Sequence, residues 1–224
     1  MQISTQISTQ TPTQTPAPIS TPIPSDSAKQ FVRMPRIDTA CTCSHTDARI
    51  RAVTADDTAQ IALLMSRPEV LGNLLNLPFP SEPGWKERLD REVRGIGRFL
   101  VAFVDGAALG LASLEESTVN SRRAHVLNLE ICVAGEMQAR GLGNALMAEV
   151  VDYADNWAQA LRVELHVFAD NQTAITLYRR FGFTTDGLMK SWALHNGQYA
   201  DALAMSRLHP DPSSLFVTNE TLAA

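Results

Sequence analysis

The segment Gln138-Ala139-Arg140-Gly141-Leu142-Gly143 lies between an apolar run, Val126–Val133, and a stretch with helical periodicity. Glycines at the start of a helix let the backbone approach a ligand closely, and the first helical turn has unpaired N–H groups. Together with the helix dipole and the charge of Arg140, this strand–glycine–helix unit predicts a site for a pyrophosphate. Apolar residues in the helix recur every three or four positions, which predicts one continuous apolar face. They are Leu142, Leu146, Val150, Tyr153 and Trp157.

The glycine segment does not match the two best-known phosphate motifs. Leu146 occupies the place of the third glycine in the dinucleotide-binding fingerprint, and no Gly-Lys-Ser/Thr follows, as a P-loop requires. A tight turn without any ligand would have the same sequence. Taken alone, the segment therefore leaves the ligand open.

A second strand and helix follow directly. Val163–Phe168 is an apolar run, and Asn171 can accept hydrogen bonds from the first turn of a helix. Gly182 occupies the position at which helices commonly end. The inner face of this helix is predicted from its apolar residues, which are Ala174, Leu177, Tyr178 and Phe181.

The remaining elements complete an α/β (α+β) domain with a mixed central sheet. Hairpins are predicted where apolar runs flank the turn dipeptides Asp105-Gly106 and Asn196-Gly197. The other predicted elements are a strand at Ala48–Val53, a helix after Thr54 that Pro68 ends, an apolar loop at Leu74–Pro80, and a helix capped by Ser81 that runs through Trp85 and Leu89.

Composition sets the domain limits and excludes several classes of protein. The chain has 224 residues, of which 45% are hydrophobic, and a formal net charge of −5. It has no uninterrupted apolar stretch of the ~18 residues that a membrane span needs, and its acidic balance argues against nucleic-acid binding. Residues 1–46, rich in Thr, Gln, Ser and Pro, are predicted to be a disordered tail, 47–208 the folded domain, and 209–224 a flexible tail.

The cysteines predict neither a disulfide framework nor a metal site. Three cysteines are too few for such a framework, and we expect a reducing, cytoplasmic location. Cys41, Cys43 and His45 have metal-ligand side chains, but a structural zinc usually has four ligands, and no second Cys/His pair follows. We therefore expect no metal.

The two strand–helix units together resemble the GCN5-related N-acetyltransferase (GNAT) superfamily. Gln138-x-x-Gly141-x-Gly143 matches its acetyl-CoA motif, and Asn171 and Tyr178 match its following helix. The resemblance extends from Arg49 to about Arg207 and is strongest to the bacterial L-amino acid N-acetyltransferases. Segments that match this subfamily are Pro68-Glu69-Val70, Asp155-Asn156-Trp157 and Asn196-Gly197-x-Tyr199-x-Asp201-Ala202. The resemblance implies a GNAT-like acyltransferase fold, with helices on both faces of the sheet.

The resemblance also implies how acetyl-CoA, the donor, would bind. The strand before the glycine loop would bind pantetheine, and a strand N–H near Val133 would hold the thioester oxygen. Tyr178 would protonate the departing thiolate, although its place on the apolar side also suits a core aromatic. The residues expected to bind the donor are Ile131, Cys132, Val133, Gln138, Ala139, Arg140, Gly141, Leu142, Gly143, Asn144, Asn171, Ala174 and Tyr178.

The general base and the acceptor site are less clearly marked. Glu130 is a candidate base, but strand alternation could point it away from the cleft, and water could suffice for an α-amine with a pKa near ~8. Asp201 could bind the substrate ammonium or be an exposed strand carboxylate. His125, His166 and His195 have no motif partner and are interpreted as surface or strand histidines. The residues expected to bind an apolar or aromatic amino acid are Asn73, Leu77, Phe79, Trp85 and Asp201.

Several alternatives remain open at this point. The acceptor could be a protein N-terminus, a polyamine or an antibiotic amine, although Glu69 is the only acidic residue between 68 and 81. A sensor that binds acyl-CoA without turnover is also possible, but a sensor has no need of the acid Tyr178. We expect a small-molecule acceptor, no nucleic-acid or membrane partner, and a possible homodimer by resemblance.

Overall fold

The computed structural model describes residues 48–75, 81–92, 96–116 and 121–212, and all statements below concern these. Its strands are β1 (Arg49–Ala52), β2 (Arg98–Val104), β3 (Ala107–Glu116), β4 (Val126–Val133), β5 (Arg162–Phe168), β6 (Thr184–His195) and β7 (Gln198–Leu208). Its helices are α1 (Thr58–Met65), α2 (Pro68–Leu71), α3 (Glu82–Glu92), α4 (Leu142–Asn156) and α5 (Gln172–Arg180).

The strands form one mixed sheet in the order β1-β2-β3-β4-β5-β7-β6. Its neighbouring pairs are antiparallel except β4 and β5, which are parallel. A parallel pair needs a crossover connection, and α4 supplies it. The prediction of a mixed α/β sheet is confirmed.

Helices cover both faces of the sheet, as expected. On one face α4 packs so closely on β3 that a Cβ at Gly110 would lie 2.7 Å from Leu146 Cδ1. On the other face, Leu111 of β3 shares a small cavity with Met65 of α1 and Trp85 of α3. Successive residues of a strand point to opposite faces, so Gly110 and Leu111 mark the two layers.

Local signals located the helix ends and turns correctly. The Ser81 hydroxyl accepts from Gly84 N–H, and the Asn171 side chain accepts from Ala174 N–H. The β6–β7 turn has positive φ at Asn196 and Gly197, as a two-residue hairpin turn requires.

Some predictions need correction, and others fall outside the described residues. Trp157 is 75% exposed at the end of α4 and is not part of its buried face. Pro68 begins α2 instead of only ending α1. His209, expected in a C-terminal tail, is buried and donates its N–H to the Leu161 carbonyl. Other predictions concern residues that the structure does not describe. These residues are 1–46, which include Cys41, Cys43 and His45, together with 76–80 and 213–224. Among the helices that the structure describes, none has the length and apolar character to cross a bilayer.

Candidate active site

The sheet opens between β4 and β5. The two strands pair at Val126–Arg162, Leu127–Val163 and Asn128–Glu164, and their pairing stops there. Beyond this point β4 remains paired with β3 as far as Val133, and β5 remains paired with β7 as far as Phe168. The inner edges of β4 and β5 therefore diverge and present backbone groups without a strand partner to the gap.

The gap continues into a cleft of about 230 Å³. Six of the predicted site residues line it, namely Asn73, Glu130, Ile131, Asn171, Ala174 and Tyr178. Cys132 lines a neighbouring cavity of about 10 Å³ instead. Since Leu74, Glu130 and Ile131 line both, the two spaces adjoin along β4.

The segment 138–143, here called the glycine loop, presents a row of backbone N–H donors together with the first turn of α4. Ala139 and Gly141 have φ values of +57° and +90°, which turn the chain sharply before α4. Within the described residues, no acceptor is paired with the N–H groups from Ala139 to Asn144. Gln138 Nε2 donates to the Val133 carbonyl at 3.4 Å and ties the loop to the end of β4. Such a row at a helix N-terminus is suited to a phosphate or pyrophosphate.

Tyr178 of α5 faces the same cleft as β4. It is 6% exposed, and no hydrogen-bond partner of its hydroxyl is found among the described residues. Burial raises the pKa of the phenol well above its usual range, and the nearby Cys132 and Glu130 raise it further. The phenol is therefore protonated at neutral pH and can donate a proton into the cleft.

Asn171 joins the donor side of the cleft to the predicted acceptor side. Its Oδ1 accepts from Ala174 N–H at 3.1 Å and caps α5, while its Nδ2 donates to Asn73 Oδ1 at 3.0 Å. Asn73 in turn donates to the Glu69 carbonyl at 2.9 Å. The cap thus also positions the segment that follows α2.

Glu130 is engaged in an ion pair. Arg88 of α3 donates to its carboxylate at 2.9 Å and also to Glu115. The Arg88 guanidinium lies 4.9 Å from the ring centroid of Trp85. Trp85, predicted to contact the acceptor, is 6% exposed and lines the small cavity, not the cleft. Its contact with Arg88 instead holds the cation next to Glu130.

The remaining predicted acceptor contacts are Asp201, Leu77 and Phe79. The Asp201 carboxylate accepts from Ser191 N–H at 2.8 Å, where an irregularity interrupts the β6–β7 pairing, and it is not among the residues that line the cleft. Leu77 and Phe79 fall within 76–80, outside the described residues.

An aromatic wall was not predicted from the sequence. His166, Phe168 and Trp192 line the cleft, and the His166 and Trp192 rings stack with centroids 5.0 Å apart. Strand alternation along β5 could have placed His166 and Phe168 on one face. It could not have placed Trp192, because the irregularity at Ser191 shifts the register of β6.

Burial also controls the thiol beside this site. Cys132 is half-buried, with its Sγ 3.7 Å from Met65 Sδ. Its apolar surroundings raise the pKa of the thiol to about 12, and the Glu130 carboxylate adds to the effect. The thiol is therefore not a nucleophile at neutral pH.

Comparison with known proteins gives consistent matches. The family model described as "Acetyltransferase (GNAT) family" matches residues 69–183. The L-amino acid N-acetyltransferase AaaT of Escherichia coli (strain K12) is 41% identical over 160 residues, which cover 71% of this chain and 96% of that protein. The spermidine N(1)-acetyltransferase of the same strain is 25% identical over 158 residues, covering 70% and 83%.

The fold is also found among solved structures. The phosphinothricin acetyltransferase from Sinorhizobium meliloti, solved in complex with acetyl-CoA, matches with a TM-score of 0.65. It is 23% identical, and the match covers 77% of this chain and 94% of that one. With a splayed β4–β5 pair, a glycine loop and a family match over half of its length, this chain belongs to the GNAT family of acetyltransferases.

Proposed function

We propose that the protein transfers the acetyl group of acetyl-CoA to the amine of a free L-amino acid with an apolar or aromatic side chain. The observation that carries the proposal is the splayed β4–β5 gap, with the protonated Tyr178 on one side and the free amides of the glycine loop at its end. The acceptor class is supported by the 41% identity to an L-amino acid N-acetyltransferase.

The residues present fit the donor. The N–H groups from Ala139 to Asn144 would bind its pyrophosphate, with the exposed Arg140 adding positive charge. Pantetheine would lie along the free edge of β4, at Ile131 to Val133, where its amides can replace the missing strand partner. The bound donor supplies an activated acetyl thioester at the point where β4 and β5 separate.

Each part of the transfer then has a candidate group. A β4 N–H near Val133 would hold the thioester oxygen as negative charge develops on it. Tyr178 would protonate the sulfur as the C–S bond breaks, which a phenol with a raised pKa is able to do at neutral pH. Glu130 would attract the acceptor ammonium while Arg88 holds its carboxylate in place.

The acceptor wall is suited to an apolar or aromatic side chain. Phe168 and Trp192 present rings to the cleft, and Asn73 supplies an amide at its edge. A polyamine would need a carboxylate for each of two ammonium groups. Among the described residues that line the cleft, Glu130 is the only carboxylate.

Thiol release from acetyl-CoA tests this proposal directly. The assay uses a panel of L-phenylalanine, L-methionine, L-lysine, spermidine, an aminoglycoside and a short peptide. We expect turnover with phenylalanine or methionine at a kcat/KM at least tenfold above that of the other amines. Turnover only with spermidine or the peptide would retain the acetyl transfer and overturn the acceptor class. Tight acetyl-CoA binding without turnover on any amine would instead identify a sensor.

A further inference from the structure

Acetyl transfer to an amine requires a proton acceptor on the side from which the amine approaches. At neutral pH most of an α-amine is protonated, so the ammonium must lose a proton before its nitrogen can attack. Tyr178, being protonated, cannot take that proton. Glu130 already accepts a hydrogen bond from the permanent cation of Arg88. Tyr178 and Glu130 therefore supply an acid for the leaving sulfur but no base for the acceptor ammonium.

His166 lies opposite Glu130 across the splayed strands. The last parallel pair of the two strands is Asn128 with Glu164, and two residues further along each strand are Glu130 and His166. Since alternate residues share a face, both side chains lie on the sheet face that carries α1 and α3. Both line the cleft, together with Tyr178.

The imidazole of His166 is accessible and oriented. Its side chain is exposed, and its ring stacks on Trp192 at an interplanar angle of 26°. No hydrogen bond to either of its ring nitrogens is found within the described part of the chain. The stack can hold the ring plane without occupying the nitrogens, which leaves them available to a ligand.

The charged groups around His166 are already engaged with others. Glu164 on β5 binds Arg123 and Arg162, Asp186 on β6 binds Arg162 and Ser206, and Glu130 on β4 binds Arg88. The partner of His166 on β7 is Ala204, which does not titrate. The other titratable side chains on these elements are Cys132 on β4, Tyr178, Arg179 and Arg180 on α5, Lys190 and His195 on β6, and Tyr199, Asp201 and Arg207 on β7.

We propose that His166 is the general base that deprotonates the acceptor ammonium, an inference that rests on the proposed function. A ring nitrogen of neutral His166 takes one proton from the ammonium, and the freed lone pair forms the N–C bond with the acetyl carbon. The C–S bond then breaks, and the thiolate takes the Tyr178 proton. The nitrogen that forms the amide then loses a second proton, which restores the Tyr178 phenol. His166 releases its own proton to water. One proton is therefore produced for each acetyl group transferred.

A matched pair of ring substitutions tests this role. His166→Phe preserves an aromatic ring next to Trp192 and removes both nitrogens. The control is His195→Phe, because His195 also stacks on an aromatic ring, that of Phe168 at 4.3 Å, but does not line the cleft. The measurement is kcat/KM for L-phenylalanine from pH 5.5 to 9.5 in both variants and the wild type, with acetyl-CoA affinity measured separately.

At pH 7 we expect His166→Phe to lower kcat/KM about 100-fold, within the range that general bases contribute. The deficit should shrink at high pH, where the amine loses its proton unaided. His195→Phe should keep the wild-type profile, and added imidazole should partly restore His166→Ala. Equal activity and equal pH profiles in the two Phe variants would overturn the assignment. If the wild type itself fails to acetylate any amine, it is the proposed function that fails.

Discussion

Tyr178, which is buried, and Cys132, which is half-buried, are ionisable side chains next to the proposed reaction centre, and desolvation raises the pKa of both. For Tyr178 the consequence is a proton donor that remains protonated throughout the physiological range. For Cys132 the consequence is a thiol that does not compete with the acceptor amine for the acetyl group, because the thiolate is the nucleophile. The same desolvation thus favours amine acetylation in two ways.

Cys132 should resist alkylation in the folded protein. With a thiol pKa of about 12, Cys132 has much less thiolate at pH 8 than an ordinary cysteine. We expect iodoacetamide to label the peptide that contains Cys132 at least tenfold more slowly in the native protein than in urea. Mass spectrometry of that peptide at timed intervals measures both rates, and equal rates would show that the thiol is not buried in this way.

The place of Tyr178 could be predicted from the sequence, whereas the places of Trp85, His166 and Trp192 could not. The place of Tyr178 follows from helical spacing between Asn171 and Gly182, which mark the two ends of α5. The family resemblance implies an acceptor contact for Trp85, but the Trp85 ring packs against the Arg88 guanidinium instead. His166 and Trp192 meet only because β7 lies between β5 and β6 in the sheet, and that order is a tertiary property.

At the scale of one element, the glycine loop depends on the backbone angle at Gly141. With φ at +90°, an alanine there would be strained, so Gly141→Ala should move the amides that bind pyrophosphate. We expect the KM for acetyl-CoA to rise at least tenfold with a smaller change in kcat. Gly187→Ala on β6 is the control, because no described atom lies within 4 Å of a Cβ at that position. A KM change of the same size in both variants would contradict this account of the loop.

The single 3-10 turn Ala55–Asp57, which leads into α1, depends on the carboxylate of Asp57. It binds Arg51 at 2.6 and 2.8 Å and accepts from Thr54 N–H at 2.7 Å in a capping box. The hydrogen bonds from Arg51 lower the pKa of Asp57 to about 2, despite an opposing effect of burial. Because the pKa in the unfolded chain is about 3.9, this stabilisation is present above pH 4 and is lost as the pH falls towards 2.

Asp57→Asn should therefore lower the free energy of unfolding by about 1–2 kcal/mol at pH 7. The difference from the wild type should become smaller between pH 4 and pH 2. Urea unfolding at several pH values measures both quantities. Asp56→Asn is the control, because Asp56 is exposed at the next position. If Asp57→Asn lowers the free energy of unfolding by an amount that does not depend on pH, the ion pair with Arg51 is not the source of the lost stability.

Helices and hairpins could be predicted because their signals are local. Caps at Ser81 and Asn171 and the turn at Asn196-Gly197 each depend on residues a few positions apart. The separation of β4 from β5 has no such signal, because it depends on where pairing between distant strands stops. In the sequence, only the family resemblance predicts that β4 and β5 separate.

For the whole molecule, the topology of the sheet assembles the site. The crossover through α4 makes β4 and β5 the parallel neighbours at the centre of the sheet, and α5 then brings Tyr178 back to the gap. The cleft is lined by residues of the segment after α2 and of β4, β5, α5 and β6, so elements that are far apart in the chain contribute to it. We propose that 47–208 is the catalytic domain.

We propose that catalysis takes place in the β4–β5 gap with Tyr178 as the acid. The most direct test is to compare Tyr178→Phe with the wild type for kcat, acetyl-CoA affinity and melting temperature. Tyr153→Phe is the control, because its hydroxyl donates to the Ile96 carbonyl away from the cleft.

We predict that Tyr178→Phe lowers kcat by about 100-fold or more, because an acid of this kind contributes that much. Acetyl-CoA affinity should stay within about twofold of the wild type. The melting temperature should not fall, since no hydrogen bond of the phenol is lost among the described residues. Tyr153→Phe should keep its turnover. A Tyr178→Phe protein that binds acetyl-CoA and turns over at the wild-type rate would contradict the account.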